Sequence, residues 1–229
     1  FIPINNYAGE AGDTGKVLKQ IDIVHQLVTE NQSDLEIALT ADDILRIHSE
    51  GKIASLIGIE GGHAIENSLA TLRMLYKLGA RYMTLTHSKG LSWADSATDV
   101  RQVGGLTEFG VEVVKEMNRI GMLVDLSHVS SSTMNQALDA SSSPVIFSHS
   151  SAASVTKHPR NVSDELLVRL KENNGIIMIT FFPSYISQRV DQAWKDIQEK
   201  AKKISGTPEE RGQFFFEQVS SDLVPKSSI

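Results

Sequence analysis

Three short apolar runs in this 229-residue sequence each lead into a side chain that binds metal ions. Ala54-Ser55-Leu56-Ile57-Gly58-Ile59 runs into Glu60. Met122-Leu123-Val124-Asp125-Leu126-Ser127 runs into His128, and Pro144-Val145-Ile146-Phe147-Ser148 into His149. One carboxylate and two imidazoles form a common ligand set for a hydrolytic metal ion, which polarises a carbonyl and activates water. Taken singly, each residue has a plainer reading. Glu60, followed by Gly61 and Gly62, fits a solvated charge in a turn, and each histidine fits a hydrogen-bonded bystander at a strand end. Recurrence in three separate units favours the metal, because parallel strands bring their carboxyl ends to one mouth.

Further polar residues fall on the same rim. His87 follows the run Tyr82-Met83-Thr84-Leu85-Thr86. An imidazole there can bind metal, donate to a substrate carbonyl or hold a tetrahedral oxyanion. A hydrogen-bonded rim histidine is the alternative. Arg160, in His158-Pro159-Arg160-Asn161, lies in the loop after the His149 strand. It can grip a carboxylate through two parallel hydrogen bonds, or it can be a surface arginine near a helix start. His63, in Glu60-Gly61-Gly62-His63, reads better as a residue satisfied at the next helix start than as a ligand. Ser148, Ser150 and Ser151 flank His149, but the sequence has no Gly-x-Ser-x-Gly elbow, so a nucleophilic serine is not expected.

The elements that must position these residues alternate between short apolar runs and amphipathic stretches. Apolar residues at helical spacing predict a helix over 17–29. Others are predicted over 40–49 (capped by Thr40), 67–77 (capped by Asn67), 107–120, 131–138 and 163–172 (capped by Ser163). Strands are predicted over 53–59, 82–86, 122–126, 144–147 and 176–181. Residues 1–15 read as loop, 88–105 as a long glycine-containing loop, and 191–204 and 208–219 as helices. A βα rhythm of this kind builds a parallel sheet. The expected fold is therefore α/β, a TIM-like (β/α)8 barrel of the metal-dependent hydrolase type. It is incomplete here, with the first strands and the last strand missing, because a closed barrel needs eight strands and about 250 residues.

Composition narrows the chemistry. The chain holds no cysteine, so any metal is held by histidines and carboxylates, which suits zinc. The absence of cysteine favours a reducing cytoplasm, with a secreted or membrane-anchored form left open. The net charge is −6 and the 22 basic residues form no block, so nucleic acid is not an expected partner. No run of 18 apolar residues occurs, so no transmembrane segment is expected.

Taken together, the segments resemble the membrane (renal) dipeptidase family of zinc dipeptidases. The resemblance rests on Ile57-Gly58-Ile59-Glu60-Gly61-Gly62-His63, on Leu85-Thr86-His87-Ser88 with Trp93-Ala94-Asp95, and on Val124-Asp125-Leu126-Ser127-His128-Val129-Ser130. It continues through Ile146-Phe147-Ser148-His149-Ser150-Ser151 and Arg160-Asn161-Val162, covering about residues 17–187. It implies that Glu60 bridges two zinc ions and that His128 and His149 complete the ligands of the second. It implies that His87 contacts substrate and steadies the tetrahedral intermediate, and that Arg160 binds the terminal carboxylate of a dipeptide. Hydrolysis by a zinc-bridged hydroxide is the implied activity, with a D-residue tolerated at the second position. The family holds its first zinc with a His-x-Asp pair, and no such pair occurs in this sequence. The chain therefore reads as a fragment of one partial barrel domain with little activity alone, and 188–229 as a helical C-terminal segment. Open sheet edges make a homodimer an expectation. Another metal-dependent amidohydrolase, or a non-catalytic degenerate barrel, are the readings that remain beside it.

Overall fold

The computed structural model describes residues 2–3, 13–204 and 207–220. In chain order the elements are β1 (Ile2–Pro3), α1 (Asp13–Glu30), β2 (Leu35–Ile37), α2 (Ala41–Ser49), β3 (Ile53–Ser55) and β4 (Ile57–Glu60). A 3-10 turn (Gly62–Ile65) leads to α3 (Leu69–Lys77), β5 (Ala80–Thr84), α4 (Glu108–Ile120), β6 (Leu123–Asp125) and α5 (Ser131–Ala140). Then follow β7 (Ile146–Ser150), α6 (Asp164–Glu172), β8 (Ile176–Ile179), α7 (Pro183–Ile186), α8 (Gln188–Lys202) and α9 (Pro208–Ser220).

Six strands form one sheet in the order β1-β4-β5-β6-β7-β8, every neighbouring pair parallel. Parallel neighbours need crossover connections, and α3, α4, α5 and α6 supply them between successive strands from β4 to β8. Sequential order with one helix per step is the (β/α)-barrel arrangement, here an arc with β1 and β8 at its edges. The core lies between sheet and helices. Ile57, Ile59, Met83, Val124 and Phe147 meet Leu72, Leu75, Val113, Met117 and Leu166 in one buried cluster. No helix among the described residues is long and apolar enough to cross a membrane.

Helix starts follow local chemistry. Thr40, Thr107, Ser130 and Ser163 each accept a hydrogen bond from the amide three residues on, and Thr40 forms a full capping box with Asp43. The cap predicted at Asn67 falls instead on Ser68, whose hydroxyl accepts from the Thr71 amide. Asn67 takes a left-handed conformation, with φ of 56°.

Several expectations shift. The run 53–59 is two strands: β3 pairs with β2 in a separate two-stranded sheet, and β4 joins the main one. A continuous apolar run does not report such a change of partner. β2 was not expected, because three residues carry too little periodicity to register. Of the predicted loop 1–15, residues 2 and 3 pair with Ile59 and Glu60 as an edge strand, and 4–12 lie outside the described residues. The helix expected from 191 is α8, which begins at Gln188, capped by Ser187, and the short α7 precedes it.

Candidate active site

The carboxyl ends of β4, β5, β6 and β7 bring Glu60, His87, His128 and His149 together. Glu60 Oε1 lies 2.9 Å from His128 Nε2 and 3.0 Å from His149 Nε2, and the two imidazole nitrogens are 2.9 Å apart. These three residues form the group among the described residues able to share one ion. His87 stands beside them. Its Nε2 is 3.8 Å from Glu60 Oε1, and its ring centroid is 4.4 Å from that of His128.

Each member is placed differently. Glu60 is the last residue of β4. Gly61 then turns the chain at φ 130°, and Gly62 packs so closely that a Cβ would lie 2.5 Å from Trp93 Cζ2 and 2.6 Å from Leu85 O. Only glycine fits both positions, so the carboxylate is held by the turn behind it.

His128 lies beyond the end of β6 and has φ of 71°. Non-glycine residues pay about 1–2 kcal/mol for that conformation, and such strain clusters at functional sites. Its carbonyl oxygen accepts from Ala97 N at 2.7 Å and lies 3.3 Å from Ser96 Oγ. Ser96 Oγ also donates to the His87 carbonyl at 2.7 Å, so one residue of the 88–106 loop ties two rim histidines. Asp95 organises that loop by accepting from the amides of Gln102, Val103 and Gly105.

His149 sits inside β7, and its amide donates to Ser127 Oγ at 3.0 Å. Its Nδ1 lies 2.7 Å from Ser148 Oγ. Ser148 in turn donates to the fully buried Asp125, which also accepts from Thr84 Oγ1 and from the amides of Ser127 and Ser148.

Arg160 is 5% exposed, which is unusual for an arginine. Its Nη2 donates to the His149 carbonyl at 3.1 Å and its guanidinium lies 5.4 Å from the Tyr185 ring centroid. Its Nε finds no hydrogen-bond partner among the described residues. A buried guanidinium with donor capacity to spare, beside a cluster of ligand-type groups, is suited to an anionic group of a substrate.

The electrostatics suit a cation. Burial pushes the His128 imidazole down to about 3, so it is neutral with a lone pair to offer at ordinary pH. Burial works to raise Glu60, but the imidazoles around it, His128 first and then His149 and His87, outweigh burial and hold the carboxyl below its ordinary range. Burial lowers Arg160, opposed by Tyr185, Glu60 and Asp125. A neutral imidazole at His128 beside an ionised Glu60 carboxylate is what metal ligation requires of those two groups. In a tetrahedral zinc site donors lie about 3.3 Å apart, given ligand distances of about 2.0–2.1 Å, so this donor set fits with small adjustments.

All five residues singled out in the sequence are thus neighbours. Asp125, Ser148, Ser96 and Tyr185 were not among them. Asp125 was readable as a carboxylate inside an apolar run. Regular strand alternation would put it opposite His128, but β6 ends at Asp125 and the left-handed turn at His128 re-aims that imidazole. His63 is buried next to the site but is not part of the trio.

The chain is 51% identical over 165 residues to Dipeptidase verJ of Clonostachys rogersoniana, a match covering 72% of this chain and 42% of that protein. It spans less than half the length of that curated relative. The crystal structure of the probable dipeptidase PvdM from Pseudomonas aeruginosa superposes with a TM-score of 0.82 at 21% identity, covering all of this chain and 65% of that one. A metallopeptidase from Rhodobacter sphaeroides, solved with a phosphinate mimic of the dipeptide L-Ala-D-Ala, gives a TM-score of 0.73 at 24% identity, covering 77% of this chain and 52% of that one. The model of the membrane dipeptidase family (peptidase family M19) matches residues 1–207, and the chain belongs to that family.

Proposed function

We propose that this chain carries the metal-binding and substrate-holding part of a zinc dipeptidase site. The observation that carries the reading is the convergence of three donor atoms, from three strand ends, within 3.0 Å of one another. Glu60, His128 and His149 would hold one ion, and Glu60 would keep lone pairs for a second. Bound zinc supplies Lewis acidity and lowers the pKa of its water towards about 7. Arg160 grips the free carboxylate of the substrate, which selects dipeptides over longer peptides and fixes the register of the scissile bond. His87 donates to the carbonyl oxygen as it gains charge. The elements of water add across the C–N bond, leaving a carboxylate and a free amine. The dipeptide mimic held by the Rhodobacter sphaeroides relative supports this substrate class.

The sequence contains no His-x-Asp pair, and the described residues form one three-donor group. The 229-residue polypeptide alone is therefore expected to bind zinc but to turn over little dipeptide. Assaying hydrolysis of glycine dipeptides with added zinc tests this, and full turnover by the polypeptide would refute the low-activity part. Zinc retention unchanged in His128→Ala would refute the metal site itself. Within any measurable activity, Arg160→Ala should raise KM for dipeptides and leave a neutral amide substrate unaffected. Among the described residues β1 and β8 end the sheet, and such edges favour a homodimer, which sedimentation of the purified chain would reveal.

A further inference from the structure

We infer that Asp125 and Ser148 act as positioning residues that hold a proton on His149 Nδ1, so that Nε2 always faces Glu60 and His128 as a bare donor. The inference rests on the metal reading above but concerns the protein's own proton arrangement. Ser148 Oγ stands between two groups: Asp125 Oδ2, at a short hydrogen-bond distance, and His149 Nδ1 at 2.7 Å. A serine hydroxyl has one proton to give. Asp125 already takes amide protons from Ser127 and Ser148 on Oδ1 and the Thr84 hydroxyl proton on Oδ2, so its carboxylate acts as an acceptor. Giving the Ser148 proton to His149 would leave a hydroxyl lone pair pressed against a carboxylate oxygen. The consistent arrangement runs one way: His149 Nδ1–H donates to Ser148 Oγ, and Ser148 O–H donates to Asp125 Oδ2. The imidazole tautomer is thereby fixed, and Nε2 carries a lone pair that, without metal, faces His128 Nε2–H at 2.9 Å, a proton also within reach of Glu60 Oε1 at 2.9 Å.

This relay differs from a carboxylate bonded directly to a ligand histidine. The hydroxyl spaces the two, and it belongs to the residue preceding the histidine, so its position is set by the strand itself. Asp125 lies on the neighbouring strand, and its Oδ1 bond to the Ser148 amide locks β7 to β6 beside the site, where the strands share a single registered pair.

The test is made on the 229-residue chain labelled with nitrogen-15 histidine, with the His149 signals assigned by their loss in His149→Gln. Long-range nitrogen–proton correlation at neutral pH, without metal, should show His149 protonated at Nδ1 and bare at Nε2. A wild-type His149 protonated at Nε2, or averaging between tautomers, would overturn the proposal without any variant being made. Ser148→Ala should shift His149 toward a tautomer mixture and Ser148→Thr, which keeps the hydroxyl, should restore it. An unchanged tautomer in Ser148→Ala would also overturn it. In parallel, zinc affinity from chelator competition should fall about 10–100-fold in Ser148→Ala and recover in Ser148→Thr. Affinity kept in Ser148→Ala but lost in His128→Ala sinks the relay's role alone. Affinity equal in wild type and His128→Ala sinks the metal reading, and the tautomer measurement still decides whether the relay exists.

Discussion

His128 and His149 present the same atom to the same point by opposite means. His128 is aimed by its backbone: it sits past the end of β6 at φ 71°, its carbonyl is tied to the 88–106 loop, and its Nδ1 finds no hydrogen-bond partner among the described residues. His149 is aimed by side chains: it sits in regular strand β7, and Ser148 and Asp125 determine which ring nitrogen is bare. Strain fixes a direction and says nothing about where the proton sits. A hydrogen-bond relay fixes the proton and depends on every member being present. The two devices should therefore fail differently when altered.

The largest effect is expected at Asp125. It is fully buried and serves the Thr84 and Ser148 hydroxyls and two backbone amides, so Asp125→Ala strands several donors at once. Each buried group left unsatisfied costs about 1–3 kcal/mol, and relaxation shares part of that, so a loss of about 3–4 kcal/mol in unfolding free energy is expected. On the other side of the comparison, Ser96→Ala removes a hydroxyl shared between the His87 and His128 carbonyls and should cost about 1 kcal/mol. Urea unfolding of both variants measures the gap. Equal losses would mean that the His149 side is no more dependent on its network than the His128 side.

The asymmetry also explains what the sequence revealed. Glu60, His87, His128, His149 and Arg160 were legible because parallel strands deliver their carboxyl ends to one rim, and an apolar run closing on a ligand-type residue marks such an end. Four of the strands from β4 to β8 were located as units within a few residues of their bounds, and the fifth, β4, was read fused to β3 as one run. The relay was not legible. Asp125 and Ser148 are 23 residues apart, and their meeting depends on the β6–β7 register, which no periodicity encodes. Ser148 was weighed as a nucleophile and set aside for want of an elbow, which left its hydrogen-bonding role unread. The strain at His128 was equally silent, since nothing in Leu126-Ser127-His128 announces a positive φ where asparagine or glycine would.

A further histidine, the half-buried His158, uses neither device and offers an intermediate effect. The Arg160 amide donates to its Nδ1 at 3.1 Å, its ring stacks 4.5 Å from Tyr185, and Asp191 Oδ1, itself paired with Lys195, is 3.8 Å from Nε2. Burial lowers it to about 4; Asp191 opposes the shift, and Lys195 and Arg160 reinforce it. The unfolded chain takes up this proton near the ordinary histidine value of 6.5, and the folded chain resists until about 4. Stability is therefore fully present above pH 6.5 and declines as pH falls through that window. The decline attributable to His158 should be roughly 1–2 kcal/mol by about pH 5. His158→Gln should flatten the difference between urea midpoints at about pH 7 and about pH 5. An identical slope in the variant would show that the imidazole is not held neutral, and that an amide donor alone does not fix protonation as the Ser148 relay does.

The smallest effect is the sharpest, because it reverses sign between His128 and His149. At His128 the backbone is left-handed, which costs a residue with a Cβ about 1–2 kcal/mol and glycine almost nothing. Glycine gives back about 0.4–1 kcal/mol through its freer unfolded chain. The difference leaves His128→Gly more stable than His128→Ala by about 0.5–1 kcal/mol. At His149, inside a strand and outside the positive-φ residues, no strain offsets the entropy, so His149→Gly should be less stable than His149→Ala by about 0.5–1 kcal/mol. All four variants lack one imidazole of the trio, so their unfolding in metal-free buffer compares backbones alone. If both pairs order the same way, His128 is not aimed by strain, and its direction must come from the 88–106 loop that binds its carbonyl.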